Sequence, residues 1–170
     1  MYNSFVYDFL YPNPESVLAF IENHDTDRFL GEGENLPMLK QASTLLLTTR
    51  RIPQLYYGTE IMMNGIKSKS DGYVRKDFPG GWADDKKTAL IAEGRSKIQN
   101  DCYNFYKTIL NWRKGNDVIA KGSMTQFMVQ NGVYAYARQY EGKIVFVMLN
   151  GTDSETTVPL KFYKEILKDK

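Results

Sequence analysis

The side chains best suited to chemistry lie together near the start of the chain, in Asn23-His24-Asp25. They follow an apolar run, Val17 to Ile21, that has the composition of a buried strand. In a parallel β/α architecture the strand interior is apolar, and polar side chains collect where each strand meets its following loop. His24 is the only histidine in 170 residues, and it stands beside a carboxylate. The pattern predicts a strand that ends in an active-site loop.

The next segments predict the elements that hold this loop in place. A helix is expected from about Leu36 to Thr49, with Asn35 as its cap. Ile52 to Tyr57 then has the apolar and aromatic composition of a short buried strand. Strand, helix and strand in this order imply a parallel pair joined by a right-handed crossover. The segment Gly58 to Thr88 has no lasting period and is predicted to be a long loop, a kind of segment that is usually functional.

The second half of the chain changes from helical to strand periodicity. A helix is predicted from Glu93 to Lys114, ending at Gly115, because apolar residues recur every three or four positions. The residues of this stripe are Ile98, Cys102, Phe105, Ile109 and Trp112. Beyond it, Val133 to Ala137 and Lys143 to Leu149 alternate as strands do, and Glu141-Gly142 between them is typical of a hairpin turn.

Two motifs together resemble the α-amylase family of glycoside hydrolases. The first is Asn23-His24-Asp25 after its strand, and the second is Ile52-Pro53-Gln54-Leu55-Tyr56-Tyr57-Gly58-Thr59-Glu60. Asp8-Phe9-Leu10-Tyr11-Pro12 and Asp77-Phe78-Pro79-Gly80-Gly81-Trp82 are most similar to the neopullulanase and cyclomaltodextrinase branch. The resemblance covers nearly all of the chain.

The resemblance implies an α/β fold in two parts. Residues 1–117 are expected to form the last strands and helices of a TIM (β/α)8 barrel. Residues 118–170 are expected to begin the antiparallel β-sandwich domain that follows the barrel in this family. The family usually has glycine where this chain has Arg51, before Ile-Pro. If that position needs a positive φ or close backbone packing, arginine is expected to strain the start of the strand.

The resemblance also implies roles for particular residues. Asp25 and His24 are expected to be catalytic, gripping the sugar that is cleaved and stabilising its oxocarbenium-like transition state. Asn23 belongs to the same motif and is expected to bind substrate. Asp71 and Arg75 match the spacing of the family's Asp-Pro-x-x-Arg segment, which contacts the next sugar, although Gly72 replaces the proline.

Each of these assignments has an ordinary structural alternative. A carboxylate after a strand often caps the following turn, and a lone histidine is more often a hydrogen-bonded side chain than a ligand. Asp71 and Arg75 are equally consistent with a solvated ion pair. Asp27 and Arg28 are expected to form such a solvated pair. The loop aromatics are predicted either to stack on sugar faces or to pin the loop; they are Tyr73, Phe78 and Trp82.

In family members the nucleophilic aspartate and the acid/base glutamate lie on the fourth and fifth barrel strands, before the Asn-His-Asp motif. Only 24 residues precede Asp25. The expected function is therefore that of a fragment of a retaining glycoside hydrolase acting on α-glucosidic bonds of maltooligosaccharides, cyclodextrins or pullulan. The chain by itself is predicted to be inactive. The alternative is a non-catalytic carbohydrate-binding or structural module, and a catalytically silent relative is a further one.

Composition limits the partners. The net charge is +2 with both signs interspersed, so no polybasic patch indicates nucleic acid, and no apolar stretch is long enough to predict membrane insertion. One histidine and one cysteine give no metal site, and no cofactor is implied. The expected partner is an α-glucan oligosaccharide. Two barrel strands alone would expose sheet edges, so self-association or strand exchange is also expected.

Overall fold

A computed structural model describes residues 2–168 of the chain. These residues form two compact units. The helical unit consists of residues 18–47 and 52–114, and the sheet unit consists of residues 2–17, 48–51 and 115–168. None of the helices in the described range is both long and apolar enough to cross a membrane.

The regular elements are few and mostly short. The α-helices are α1 (Asn3–Val6), α2 (Leu36–Thr48), α3 (Asp71–Val74), α4 (Lys97–Lys114), α5 (Asp117–Lys121) and α6 (Lys164–Leu167). The strands are β1 (Leu18–Ala19), β2 (Ile52–Pro53), β3 (Ser123–Gln126), β4 (Val133–Tyr140) and β5 (Lys143–Asn150). Short 3₁₀ turns cover Asp8–Leu10, Pro14–Ser16, Thr59–Ile61, Ala92–Gly94 and Leu160–Tyr163.

In the helical unit β1 and β2 are parallel neighbours, as predicted. Leu18 pairs with Ile52 and Ala19 with Pro53. Both strands are much shorter than expected, however, and the expectation that they are buried is wrong. The exposed fraction is 53% for Leu18 and 49% for Ile52. Two strands of two residues cannot surround a core of their own, so these side chains remain open to solvent.

The core of the helical unit lies between α2 and α4. Asn35 caps α2 as predicted, because its Oδ1 accepts a hydrogen bond of 3.0 Å from Met38 N. The buried cluster consists of Leu36, Leu39, Leu47, Cys102 and Tyr106. The predicted apolar stripe of α4 is therefore confirmed at Cys102, whereas Trp112 at its end is 42% exposed. The apolar period continues to the end of the helix, but the neighbouring core does not.

The sheet unit contains one antiparallel sheet in the order β3, β4, β5. The predicted hairpin is confirmed: Tyr140 pairs with Lys143 across Glu141-Gly142, and both turn residues have positive φ, at 48° and 75°. Such a pair of residues is what a tight two-residue hairpin turn requires. Strand β3 and helix α5 were not predicted, because four and five residues are too few to establish a period.

Strand β4 is buried on both faces. From Val133 to Arg138 all side chains are buried. Ala135 and Ala137 on one face join a cluster with Phe127, Tyr163 and Ile166. On the other face, Arg138 donates hydrogen bonds of 3.0 Å to Thr48 O and 2.7 Å to Gly122 O.

The prediction that Arg51 strains the start of the strand is wrong. The non-glycine residues with positive φ within residues 2–168 are Met62, Asn131, Glu141 and Lys168, so Arg51 has an ordinary backbone conformation. Its guanidinium forms an ion pair with Asp8 and donates a hydrogen bond of 2.7 Å to Pro14 O. The long side chain therefore has a structural use within the sheet unit.

Replacing Asp8 tests the importance of this contact. Asp8 is buried and neutralises both Arg50 and Arg51. We expect Asp8→Asn to lower the free energy of unfolding by about 3 kcal/mol, since it leaves two partly buried guanidinium groups without their acidic partner. Urea denaturation measures this. Asp117→Asn is the control, because Asp117 pairs with Lys121 at an exposed position of α5, and its stability should not change. Equal stability of the two variants would contradict the prediction.

The buried thiol of Cys102 leads us to predict that the folded protein loses stability at alkaline pH. Burial raises the pKa of its thiol from the usual 9.0 to about 12. Between these pH values the unfolded thiol is ionised and the folded one is not, so stability is intact below pH 9 and falls as the pH rises towards 12. The expected contribution to the slope is at most ~1.4 kcal/mol per pH unit. Urea denaturation across this range should show a shallower slope for Cys102→Ala, and an identical slope would refute the assignment.

Candidate functional site

The loop that follows β1 is held by its own side chains. Asp25 N donates a hydrogen bond of 2.8 Å to Asn23 Oδ1, and Asn23 N donates one of 3.1 Å to Thr26 Oγ1. The side-chain oxygen of Asn23 therefore serves the local turn. This turn presents His24 and Asp25, whose side chains are each 60% exposed, at its tip.

Arg75 joins this loop from a distant part of the helical unit. Its Nη2 lies 3.2 Å from Asp25 Oδ1, and its Nε donates a hydrogen bond of 3.0 Å to His24 O. His24 Nε2 lies 3.1 Å from Asp25 Oδ2. Arg75 thus contacts both residues that the sequence predicts to be catalytic, although 50 positions separate it from Asp25. A guanidinium presents its donors in a planar fork, which suits such a double contact.

Asp71 and Lys67 complete an alternating ring of charges. Arg75 Nη2 lies 3.3 Å from Asp71 Oδ2, and Lys67 Nζ lies 3.5 Å from Asp71 Oδ1. Lys67 Nζ lies 4.0 Å from Asp25 Oδ1 and donates a hydrogen bond of 2.9 Å to Asp25 O. We call Asp25, Arg75, Asp71 and Lys67 the charge ring. Lys67 was not predicted, since a lysine in a loop with several lysines gives no sequence signal.

The structure therefore brings together all five residues that were predicted for the site. Asn23, His24 and Asp25 come from the loop after β1, Asp71 lies at the start of α3, and Arg75 follows α3 directly. Every member of the charge ring is at least 40% exposed. Exposed ion pairs are individually weak. The ring can consequently exchange its internal contacts for hydrogen bonds to a ligand that carries hydroxyl groups.

The prediction of a solvated Asp27–Arg28 pair is wrong. Arg28 is 1% exposed, and its Nη1 lies 3.2 Å from the carboxylate of Glu22, which is 3% exposed. Glu22 also accepts hydrogen bonds from Phe29 N, at 2.5 Å, and from the hydroxyl of Thr59. Asp27 instead accepts one of 2.5 Å from Lys67 N. The spacing of the two charges could not reveal this, because Arg28 turns towards acceptors from other segments.

Tyr73 is occupied by contacts within its own loop. The ammonium groups of Lys69 and Lys76 lie 4.7 Å and 3.8 Å from its ring centroid, and its hydroxyl donates a hydrogen bond of 3.0 Å to Glu32. Hydrogen bonds from Lys69 and Tyr73 lower the pKa of Glu32, and the bond to Glu32 raises the pKa of Lys69. Of the two roles predicted for Tyr73, these contacts favour pinning the loop. Trp82, in contrast, is 64% exposed.

The helical unit also has a groove of about 750 Å³ that is separate from the charge ring. Its lining includes Pro79, Thr88, Ile91, Arg95 and Gln99, and none of the five predicted site residues lines it. Within residues 2–168, no group of three or more histidine, cysteine, aspartate or glutamate side chains is arranged to hold a metal ion.

Comparison with known protein families finds a match for the antiparallel sheet. Residues 124–170 match the family model described as the cyclo-malto-dextrinase C-terminal domain. This segment includes most of β3 and all of β4 and β5. The antiparallel sheet is thus the part of the chain to which the family model applies.

Individual relatives extend the similarity to most of the chain. A cyclomaltodextrin glucanotransferase of Paenibacillus macerans is 32% identical over 145 residues, which are 85% of this chain and 18% of that protein. An α-amylase of Geobacillus thermoleovorans, solved in complex with acarbose, has 27% identity and a TM-score of 0.68, covering 89% of this chain and 31% of that one. The gamma-CGTase of the alkalophilic Bacillus clarkii has 25% identity and a TM-score of 0.67, covering 91% and 20%.

The predicted resemblance is confirmed: the homologues of this chain are cyclomaltodextrin glucanotransferases and α-amylases, enzymes of the α-amylase family. The chain spans about a fifth of the length of the curated relatives that it matches.

Gly65 permits the close approach of the segments that form the charge ring. Its carbonyl accepts a hydrogen bond of 2.9 Å from Arg28 N, and a Cβ at this position would lie 2.4 Å from Tyr73 O. We expect Gly65→Ala to lower the free energy of unfolding by about 2 kcal/mol, because backbone must move to admit the methyl group.

Thermal denaturation followed by circular dichroism measures this effect. Gly72→Ala is the matched control in the same segment, since a Cβ there would meet only Ser70 Oγ, at 3.8 Å. We expect its melting temperature to equal or exceed that of the unsubstituted chain. A Gly65→Ala variant as stable as Gly72→Ala would disprove the close approach.

Proposed function

We propose that this chain supplies the sugar-gripping part of a retaining glycoside hydrolase that acts on α-glucosidic bonds of maltooligosaccharides, cyclodextrins or pullulan. In this proposal residues 1–117 are the last part of the (β/α)8 catalytic barrel, and residues 118–170 begin the all-β domain that follows it. The observation that carries the proposal is the convergence of His24, Asp25, Asp71 and Arg75 in one exposed cluster.

The geometry supports a division of roles within the site. The Asp25 carboxylate is an acceptor for hydroxyl groups of the sugar at the reacting centre, with His24 beside it. Such a preorganised group stabilises a distorted, oxocarbenium-like sugar more than the relaxed one. Asp71 accepts from hydroxyls of the adjacent sugar, and the guanidinium of Arg75 donates to them. Asn23 acts by holding the turn that presents Asp25.

Parallel β1 and β2 support the barrel assignment. They are joined through α2, as successive strands of a barrel are, and the site loops follow their carboxyl ends. In barrel enzymes the active site lies at that end of the strands. The first site loop follows β1 and the second, with Asp71 and Arg75, follows β2.

Bond cleavage needs more than this cluster. A retaining glycosidase uses two carboxyl groups about 5 to 5.5 Å apart, one as nucleophile and one as acid/base. In this proposal neither Asp25 nor Asp71 is one of these two groups. We therefore infer that the chain binds α-glucan oligosaccharides without hydrolysing them. A non-catalytic carbohydrate-binding module is the second candidate, and it uses the same cluster.

Isothermal titration of the 170-residue chain with maltoheptaose tests the proposal. We expect binding that Asp25→Asn weakens by tenfold or more, because a hydrogen bond to a charged group contributes about 1.5–3 kcal/mol. Asp101→Asn is the control, since Asp101 is an exposed carboxylate paired with Lys97 on α4. A reducing-sugar assay should detect no turnover. Binding that is absent, or equal in the two variants, would refute the assigned site, and turnover would refute the inferred lack of chemistry.

A further inference from the structure

Arg28 is a buried cation at the meeting point of the segments that carry the charge ring. Its Nε donates a hydrogen bond of 3.0 Å to Val74 O, and its Nη1 donates one of 2.7 Å to Tyr57 O. The same Nη1 lies 3.2 Å from Glu22 Oε1. With a side chain that is 1% exposed, Arg28 cannot itself contact a sugar.

Two of these contacts, Glu22 and Val74, lie next to a site residue in the sequence. Glu22 immediately precedes Asn23, and Val74 immediately precedes Arg75. The backbone N of Arg28 donates to Gly65 O, two residues before Lys67. The side chain and the backbone of Arg28 thus contact both site loops close to the residues of the charge ring.

The surroundings of the guanidinium keep it in this position. Its Cζ lies 4.1 Å from the ring centroid of Tyr56 and 4.9 Å from that of Tyr57. Glu22 is itself fixed by hydrogen bonds from Phe29 N and Thr59. The planar guanidinium of Arg28 directs Nε to one segment and Nη1 to others. The single ammonium group of a lysine does not reproduce this geometry.

We propose that Arg28 is a positioning residue of the sugar site. By bridging Glu22 and Val74 it sets the separation between Asp25 and Arg75, so that sugar affinity depends on a side chain that the sugar never touches. This inference rests on the proposed function for its sugar, although the positioning itself is observable in the free protein.

The first test compares Arg28→Lys with Arg138→Lys. Both replace a 1% exposed arginine, but Arg138 donates hydrogen bonds to Thr48 O and Gly122 O, which belong to the sheet unit. Titrations with maltoheptaose are made below the melting temperature of each variant. We expect Arg28→Lys to weaken binding about tenfold or more and Arg138→Lys to leave it unchanged. Should Arg28→Lys fail to fold, Glu22→Gln keeps the size of the partner while removing its charge, and the same loss is expected.

The second test needs no sugar. His24 is the only histidine of the chain, so its ring proton resonances are assigned without ambiguity. We expect them to shift in Arg28→Lys or Glu22→Gln, because the loop that carries His24 is displaced, and to stay in place in Arg138→Lys. Destabilisation alone would not move them in a folded sample.

The two readouts separate the possible failures. Unchanged His24 resonances in Arg28→Lys would overturn the positioning role. Unchanged affinity in a sugar-binding protein would overturn it as well. If the unsubstituted chain binds no maltoheptaose, the proposed function fails, and the His24 resonances alone decide whether Arg28 positions the loop.

Discussion

The permanent positive charge of Arg28 has to be neutralised out of contact with water, and this requirement governs the helical unit. Removing an ion from water costs several kcal/mol unless an opposite charge and hydrogen-bond acceptors replace the solvent. Here Glu22 supplies the charge, and the carbonyl groups of Tyr57 and Val74 supply the acceptors. These groups belong to segments that are far apart in the chain. Neutralising one buried cation therefore joins these segments.

The site above this bridge has the opposite physical character. The charge ring is exposed, so water screens its ion pairs and each contributes little to stability. The same exposure leaves its oxygens and nitrogens accessible to hydroxyl groups. A rigid buried support beneath an adaptable polar surface is a favourable arrangement for binding a neutral, hydroxyl-rich ligand, since the ligand can replace contacts without disturbing the fold.

The buried and partly buried arginines of the sheet unit also have acceptors or an acidic partner. Arg138 donates to backbone carbonyl groups, and Asp8 neutralises Arg50 and Arg51. This explains how the chain accommodates Arg51 before β2. The position requires no left-handed backbone here, and the additional side chain finds an acidic partner and the Pro14 carbonyl within the same unit.

Features that depend on local patterns could be predicted from the residues alone. Periodicity and turn residues predicted α2, α4 and the β4–β5 hairpin. Two motifs predicted the family and Asn23, His24 and Asp25 of the site, and the spacing of an Asp-Pro-x-x-Arg segment predicted Asp71 and Arg75. The folded structure was needed to show that Arg28 is buried with Glu22, that Lys67 belongs to the charge ring and that Leu18 stays exposed. The reason is physical: the environment of a side chain depends on segments distant in sequence, and no local period records which of them will approach it.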